Sequence, residues 1–203
     1  SLERMRVRGG ADEFLTPQRL DFEMVIRIDA GAAVHTVDFF DHELNLGDVL
    51  WVRAGQVHQW GQIAEINGPA VLFTPHAIDD RTSEMVRAVG TSTPNHWPAA
   101  VIEGTPVAEV WDLLLASSQQ PTGDRAELRE AVLANALGAL LAQLTLVRPA
   151  EARVGPSSTH ETYVWFRDEI EQRYAEWHQV THYAERLGYS PRTLNRVARA
   201  HTG

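Results

Sequence analysis

The chain has 203 residues, 44% of them hydrophobic, with 18 basic and 27 acidic side chains for a net charge of −9, and no cysteine. That length holds one large domain or two small ones, and the absence of cysteine excludes disulfides and thiolate-held zinc and fits a reducing, cytoplasmic setting. No apolar run approaches the ~20 residues of a membrane helix, so no membrane partner is expected, and Ser1 to Gly10 carries arginines with no hydrophobic segment behind them, so no signal peptide is expected there.

The charge is uneven. From His178 onward Arg186, Arg192, Arg196 and Arg199 stand against Glu185 alone, a charge of +3, which leaves −12 on the preceding 177 residues. An acidic body with a basic tail suits a tail that approaches an acidic polymer. Arginines clustered on a solvated helix would give the same count.

Residues from about 18 to 75 read as strands. Phe22 to Asp29 is rich in large apolar residues and stops at Ala30-Gly31; Val34 to Phe40 follows, and Asn45-Leu46-Gly47-Asp48 turns the chain. Val49 to Arg53, Val57 to Trp60 and Ala70 to Phe73 complete the set, separated by turns at Ala54-Gly55 and Asn67-Gly68-Pro69. Many short strands with regular turn signals indicate a sandwich or barrel. Residues 76–104 show no single pattern.

From about 106 to 148 the period changes. Val107, Val110, Trp111 and Leu114 share one helical face, and Asp124 with Glu127 three residues on marks the start of a second, long helix. In that helix Leu133, Leu137, Leu140, Leu144 and Val147 step 4, 3, 4, 3, the spacing of a coiled-coil seam. Packed on its own barrel, such a helix buries the seam internally; met by a second copy, it makes a homodimer, and the expectation here is the homodimer. Pro149 to Thr159 is a linker by composition.

The tail is the sharpest signal. Tyr163, Phe166, Ile170 and Tyr174 carry helical spacing; Val180, Ala184 and Leu187 form a short second helix stopped by Gly188; Ser190-Pro191 opens a third, with Ser as N-cap and Pro at the first helical position. Leu194, Val197 and Ala198 face inward there, and Arg192, Thr193, Asn195, Arg196 and Arg199 outward. A short helix, a glycine turn and a helix with a polar N-terminal half is the helix-turn-helix arrangement.

The run from Val180 to Arg196, ending His201-Thr202-Gly203, resembles the first helix-turn-helix of the AraC family of transcription regulators: the alanine, the Leu187-Gly188 pair, Tyr189, Ser190, Leu194, Arg196 and the final glycine stand at the family's spacing. The match covers roughly the last 45 residues. It implies that Arg192, Asn195 and Arg196 enter the major groove of a promoter or operator and that Ser190 and Thr193 touch phosphate; RNA polymerase is a further partner it admits. Members carry a second helix-turn-helix beyond this point, and the chain ends at Gly203, so the sequence is expected to be a fragment.

The N-terminal half is similar to the cupin barrel that precedes the DNA-binding domain in such regulators. Gly47 to His58 follows the second cupin motif with Arg53 in place of its proline. His35 could fill the first histidine of the first motif, but the second falls on Val37 and the glutamate near Phe40, and a regular strand puts Asp38 and His42 on the face opposite His35. No metal, cofactor or catalytic residue is therefore expected. The resemblance implies a small-molecule effector in the barrel, with His35, Trp51, Arg53, His58 and Trp60 as its contacts.

The expected fold is thus α+β: a cupin-like β-barrel (jelly roll) over 1–105, two helices forming a dimerisation segment over 106–148, a linker at 149–159 and a first helix-turn-helix over 160–203. The expected function is effector-controlled, sequence-specific DNA binding. The alternative is a cupin-fold metal-dependent oxygenase or isomerase with a helical tail, and the missing first-motif ligands count against it. A dimerisation module that never meets DNA would leave the polar face of the last helix without a purpose.

Overall fold

The computed structural model describes residues 2, 16–38, 40–61, 66–90, 94–121, 123–147, 158–187 and 189–202. The chain divides into two compact units, Ser1–Ala150 and Glu151–Gly203. The first is mixed α and β. Its strands are β1 (Gln18–Arg19), β2 (Glu23–Arg27), β3 (Ala33–Val37), β4 (Phe40–Leu44), β5 (Val49–Val52), β6 (Val57–Trp60), β7 (Ala70–Phe73) and β8 (His96–Trp97). They form two four-stranded sheets ordered β1-β6-β3-β4 and β7-β2-β5-β8, every pairing antiparallel.

The pleat sorts the side chains. Met24, Ile26, Leu50 and Val52 from one sheet meet Val37, Leu44 and Trp60 from the other in a shared interior. Their neighbours Val25, Val49, Trp51 and Phe73 point the opposite way, into a second core roofed by helices. Both faces of β2 and β5 are covered, which is why these strands read as continuous apolar runs.

The expected single strand from Val34 to Phe40 is instead a hairpin. Val37 and Phe40 are cross-strand partners, and Asp38 takes a positive φ of 47° to reverse the chain. Aspartate tolerates that left-handed conformation better than most side chains. The Asp38 carboxylate accepts the Val57 N–H (3.0 Å) and a Gln56 side-chain N–H (2.8 Å), which fastens the turn to β6. The hairpin corrects the expected facing of His42: it sits directly opposite His35 in the register, so both side chains lie on the same face.

The helices of this unit over residues 80–146 are α1 (Asp80–Gly90), α2 (Ala99–Ile102), α3 (Val107–Gln119) and α4 (Ala126–Leu146). Asp79 precedes α1, and its Oδ1 accepts the Thr82 N–H at 2.9 Å, a cap that the unpatterned stretch 76–104 concealed. On α3, Val107, Trp111 and Leu114 are buried as their spacing predicts. The expected Asp124–Glu127 capping box does not form: Asp124 lies in a 3₁₀ turn, Gly123–Arg125, and α4 starts without a side-chain cap.

The leucine seam of α4 turns inward. Leu137, Leu140 and Leu144 are 5%, 0% and 0% exposed inside the core shared with the sheet, and Leu133 and Val147 pack against it. The homodimer surface expected on these five residues is therefore already filled by the chain itself. For the same reason the helices of 106–148 belong to one unit with the strands rather than standing apart as a segment of their own. Strand β8 binds the end of α4: the Trp97 indole N–H donates to the carbonyl oxygens of Leu144 (2.9 Å) and Val147 (2.7 Å). The expected linker, 149–159, lies outside the described residues up to 157, and Ser158 opens the next helix.

The second unit contains α5 (Ser158–Arg173), α6 (Val180–Leu187) and α7 (Pro191–Thr202) around Phe166, Tyr183, Ala184 and Leu194. Two members of the expected first-helix face miss this core: Ile170 is 36% exposed and Tyr174 is 68% exposed. Among the described residues no helix is long and apolar enough to cross a membrane.

Candidate functional site

In the second unit, local chemistry fixes where α7 begins. The Ser190 hydroxyl accepts the Thr193 N–H at 3.1 Å, and the Ser190 carbonyl accepts the Leu194 N–H at 3.1 Å, so Ser190 is the N-cap that its sequence context predicts. Pro191 fills the first turn, where its missing N–H costs nothing. Upstream, α6 ends with the Tyr189 N–H bonded to the Ala184 carbonyl at 2.8 Å, the six-to-one bond of a Schellman stop. Gly188, predicted as the turn residue, lies outside the described residues. The Tyr163 ring stacks on His201 at 4.6 Å with only 3° between planes, which holds the far end of α7 to α5.

These anchors leave one face of α7 outward. Leu194 and Val197 are buried, while Arg192, Asn195, Arg196 and Arg199 are exposed and recur every three or four residues. Among the described residues none of these three arginines is held in an ion pair, whereas the neighbouring Arg173 and Arg186 both engage Glu169. Thr193 is half-buried, its hydroxyl 2.9 Å from that of Ser190. The result is a row of guanidinium groups and one carboxamide with no acidic residue on the helix. Such groups can bind base edges and phosphates.

In the first unit the structure brings together three of the five expected effector contacts. His35 (0% exposed), His58 (4%) and Trp60 (3%) meet on the inner face of β3 and β6. His35 Nε2 lies 3.2 Å from His58 Nδ1, and the Trp60 ring stands edge-on to His35 at 4.1 Å. One imidazole N–H bridges the pair, which leaves His35 Nδ1 and His58 Nε2 buried with no hydrogen-bond partner. Burial holds the His35 imidazole well below its ordinary pKa, with the neighbouring His58 and His42 adding to the effect, and burial pushes His58 down to about 4. Both rings are neutral at pH 7. Beyond them, His42 meets His96 at 5.8 Å, and His96 Nε2 lies 2.9 Å from the Asp48 carboxylate.

Trp51 and Arg53 do not join this group. Trp51 points out of the opposite face of its sheet, where its indole N–H donates to Glu23 at 2.7 Å, and Arg53 lies over the Trp51 ring at 4.4 Å. Burial raises the Glu23 carboxyl above its ordinary range despite that hydrogen bond and the nearby Arg53 and Arg87. A cavity of ≈ 490 Å³ opens on this outer side, lined by Arg27, Val49, Ile102, Val107 and Trp111 among others, and none of the expected contacts lines it. Its only trace in the sequence was the Val107–Trp111 helical face, which reads as core. Among the described residues no group of three or more His, Cys, Asp or Glu side chains is placed to hold a metal ion.

No protein-family description matches the chain, and no curated protein matches its sequence. Seven chains of solved structures match it. One is the crystal structure of the AraC-like transcriptional activator CuxR, with 13% identity and a TM-score of 0.39 over 91% of this chain and 63% of that one. The chain thus spans less than two thirds of that protein's length. A likeness of this size leaves the fold to rest on the strand order and cores described above.

Proposed function

We propose that the protein is a transcription regulator of the AraC type in which α7 reads DNA and the two-sheet unit senses a small molecule. The observation that carries this reading is the face of α7. A capped helix presents Arg192, Asn195 and Arg196 early, on the side away from its core, with no ion pair among the described residues to occupy the arginines. Arginine can hold guanine O6 and N7 with two hydrogen bonds, and asparagine can hold adenine N6 and N7 in the same way. Ser190 and Thr193, at the helix start, suit a phosphate contact that positions without specifying. The preceding short helix α6 takes the place of the helix that crosses the DNA backbone.

Sensing is the other half of the proposal. The chain crosses repeatedly between the two antiparallel sheets, with β1, β3, β4 and β6 in one and β2, β5, β7 and β8 in the other, a connectivity that supports the jelly-roll reading. Inside, His35, His58 and Trp60 form a small polar patch in an apolar surround, which suits an organic effector with a hydrogen-bonding group. The effector shifts DNA binding only as far as its affinities for the DNA-binding and non-binding arrangements of the protein differ.

The direct test is selection of DNA fragments on the full chain, followed by fluorescence anisotropy with the selected sequence. Weak but sequence-selective binding with a negative salt slope is expected, and Arg192→Ala/Asn195→Ala/Arg196→Ala should abolish the selectivity. Absence of selectivity in the wild type, or its survival in the triple variant, overturns the reading.

A further inference from the structure

The cavity on the outer side of the sheet belongs to neither the DNA-reading helix nor the histidine patch. Val49 of β5 and Ile102, Val107 and Trp111 of the helices line it, and all four are buried. At ≈ 490 Å³ it has the size of a small-molecule site, for which about 300–1,000 Å³ is usual.

Its width follows from the sequence. Ala99 and Ala100 of α2, Gly104 in the connection and Ala108 of α3 also line it, and none of them reaches further than a methyl group. Gly104 takes a φ of 75°, and a Cβ placed there would meet nothing within 4 Å. The opposite edge is held firmly. A Cβ on Gly47 would lie 2.8 Å from that of Ala99, so α2 sits tight on the turn before β5. The Asp48 carboxylate accepts the Ala99 N–H at 2.8 Å and the Asn45 N–H at 2.9 Å, which fixes both to the same buried group. A pocket with braced walls binds without first having to order them.

The charges around the cavity are one-sided. Arg27 lines it, and its guanidinium already donates to Asp29 at 2.8 Å and to Asp112 at 2.9 Å. Glu103 and Glu109 line it as well, both exposed, and among the described residues neither is held in an ion pair. One cation therefore stands among four carboxylates. An anion would enter against that field and a cation with it. The buried apolar floor adds a second requirement, because only a hydrophobic body gains by covering it.

We propose that this cavity binds a small organic cation, an amine with an aromatic or branched apolar body. The body covers Val49, Ile102 and Val107, and the ammonium group faces Glu103 and Glu109. The site is separate from the interior patch of His35, His58 and Trp60, which lies on the other side of the sheet that β5 belongs to.

The test is titration calorimetry of the full chain, without DNA, against three probes that share one indole-ethyl body: tryptamine, tryptophol and indole-3-propionate. Tryptamine is expected to bind one to one and roughly five- to tenfold more tightly than the neutral alcohol, the gain that two solvent-exposed carboxylates supply, with the acid weakest. Glu103→Gln/Glu109→Gln should bring tryptamine down to the level of tryptophol and leave tryptophol unchanged. Ala108→Trp, at an exposed position, should obstruct the cavity and weaken tryptamine by roughly tenfold or more, with the thermal midpoint of the free protein near that of the wild type. His58→Phe should leave tryptamine binding as it was. If neither tryptamine nor the slimmer phenethylamine binds, or if the acid binds as well as the amine, the proposal is overturned. Tryptamine binding that ignores Ala108→Trp but is lost in His58→Phe overturns it too, and places the amine between the sheets.

Discussion

His35 and His58 share a single proton across a 3.2 Å gap inside the two-sheet unit, each with its other ring nitrogen buried and unsatisfied. Charging either ring is unfavourable there. Both pKa values lie below the ordinary 6.5, that of His58 at about 4. Between those limits the unfolded chain binds more protons than the folded one, so stability rises with pH through that window and levels off above it. The unfolding free energy from denaturant titrations should fall from pH 6.5 towards pH 4, by roughly 1.4 kcal/mol per pH unit for His58 with His35 adding in the same direction, and His58→Phe should flatten the slope. Glu23, with its raised pKa, works in the opposite sense: the stability of its neutral form is lost as pH rises above the ordinary carboxyl value. A wild-type midpoint independent of pH over this range would contradict the buried neutral pair.

The reading face of α7 should separate by role. Arg196→Ala or Asn195→Ala is expected to cost ~1–3 kcal/mol of discrimination at one base position. Arg199→Ala, a turn further along, should weaken binding to all sequences alike and reduce the salt slope by about one. Anisotropy against single-base variants of a selected site, at two or more salt concentrations, distinguishes the two outcomes.

Ser190→Ala removes the acceptor for the Thr193 N–H. A lost N-cap costs about 1 kcal/mol, so thermal unfolding of the second unit should shift to lower temperature while that of the first stays put. Ser190→Asp should restore most of the loss.

Leu140→Ala should behave as a core substitution. With Leu140 at 0% exposure, a loss of ~2–5 kcal/mol in chain stability is expected, the same at every protein concentration. A loss that appears only where the protein associates would return Leu140 to an intermolecular seam.

Much of this architecture was legible from residues. The turns at Gly47 and Gly55, both at positive φ, delimit β5 where the sequence placed it, and the Ser190-Pro191 start of α7 is where the cap chemistry puts it. The errors have physical causes. Val34 to Phe40 is unbroken by glycine or proline, so nothing announces the reversal at Asp38, and the missed turn flipped His42 to the wrong face. Trp51 enters the expected effector site through the resemblance alone; β5 is apolar on both sides, so alternation does not name its inner face, and here helices cover the face that Trp51 occupies. The inward turn of the α4 seam was hidden for a related reason: with no charge from Ala131 to Leu146 the helix is apolar all round, and only burial reveals which stripe the chain keeps for itself. Strand β8, two residues long, leaves no periodic trace at all.

The bifurcated bond from Trp97 has a consequence for how the first unit breathes. The end of α4 has no independent way to fray, since two of its last carbonyl oxygens are held by a strand that is itself paired with β5. The final turn of the helix and the sheet edge therefore open as one cooperative block, and the amides of both would exchange with solvent at a common rate. A molecule that tightens or loosens that sheet is thereby felt at the last turn of α4, where the first unit hands the chain on.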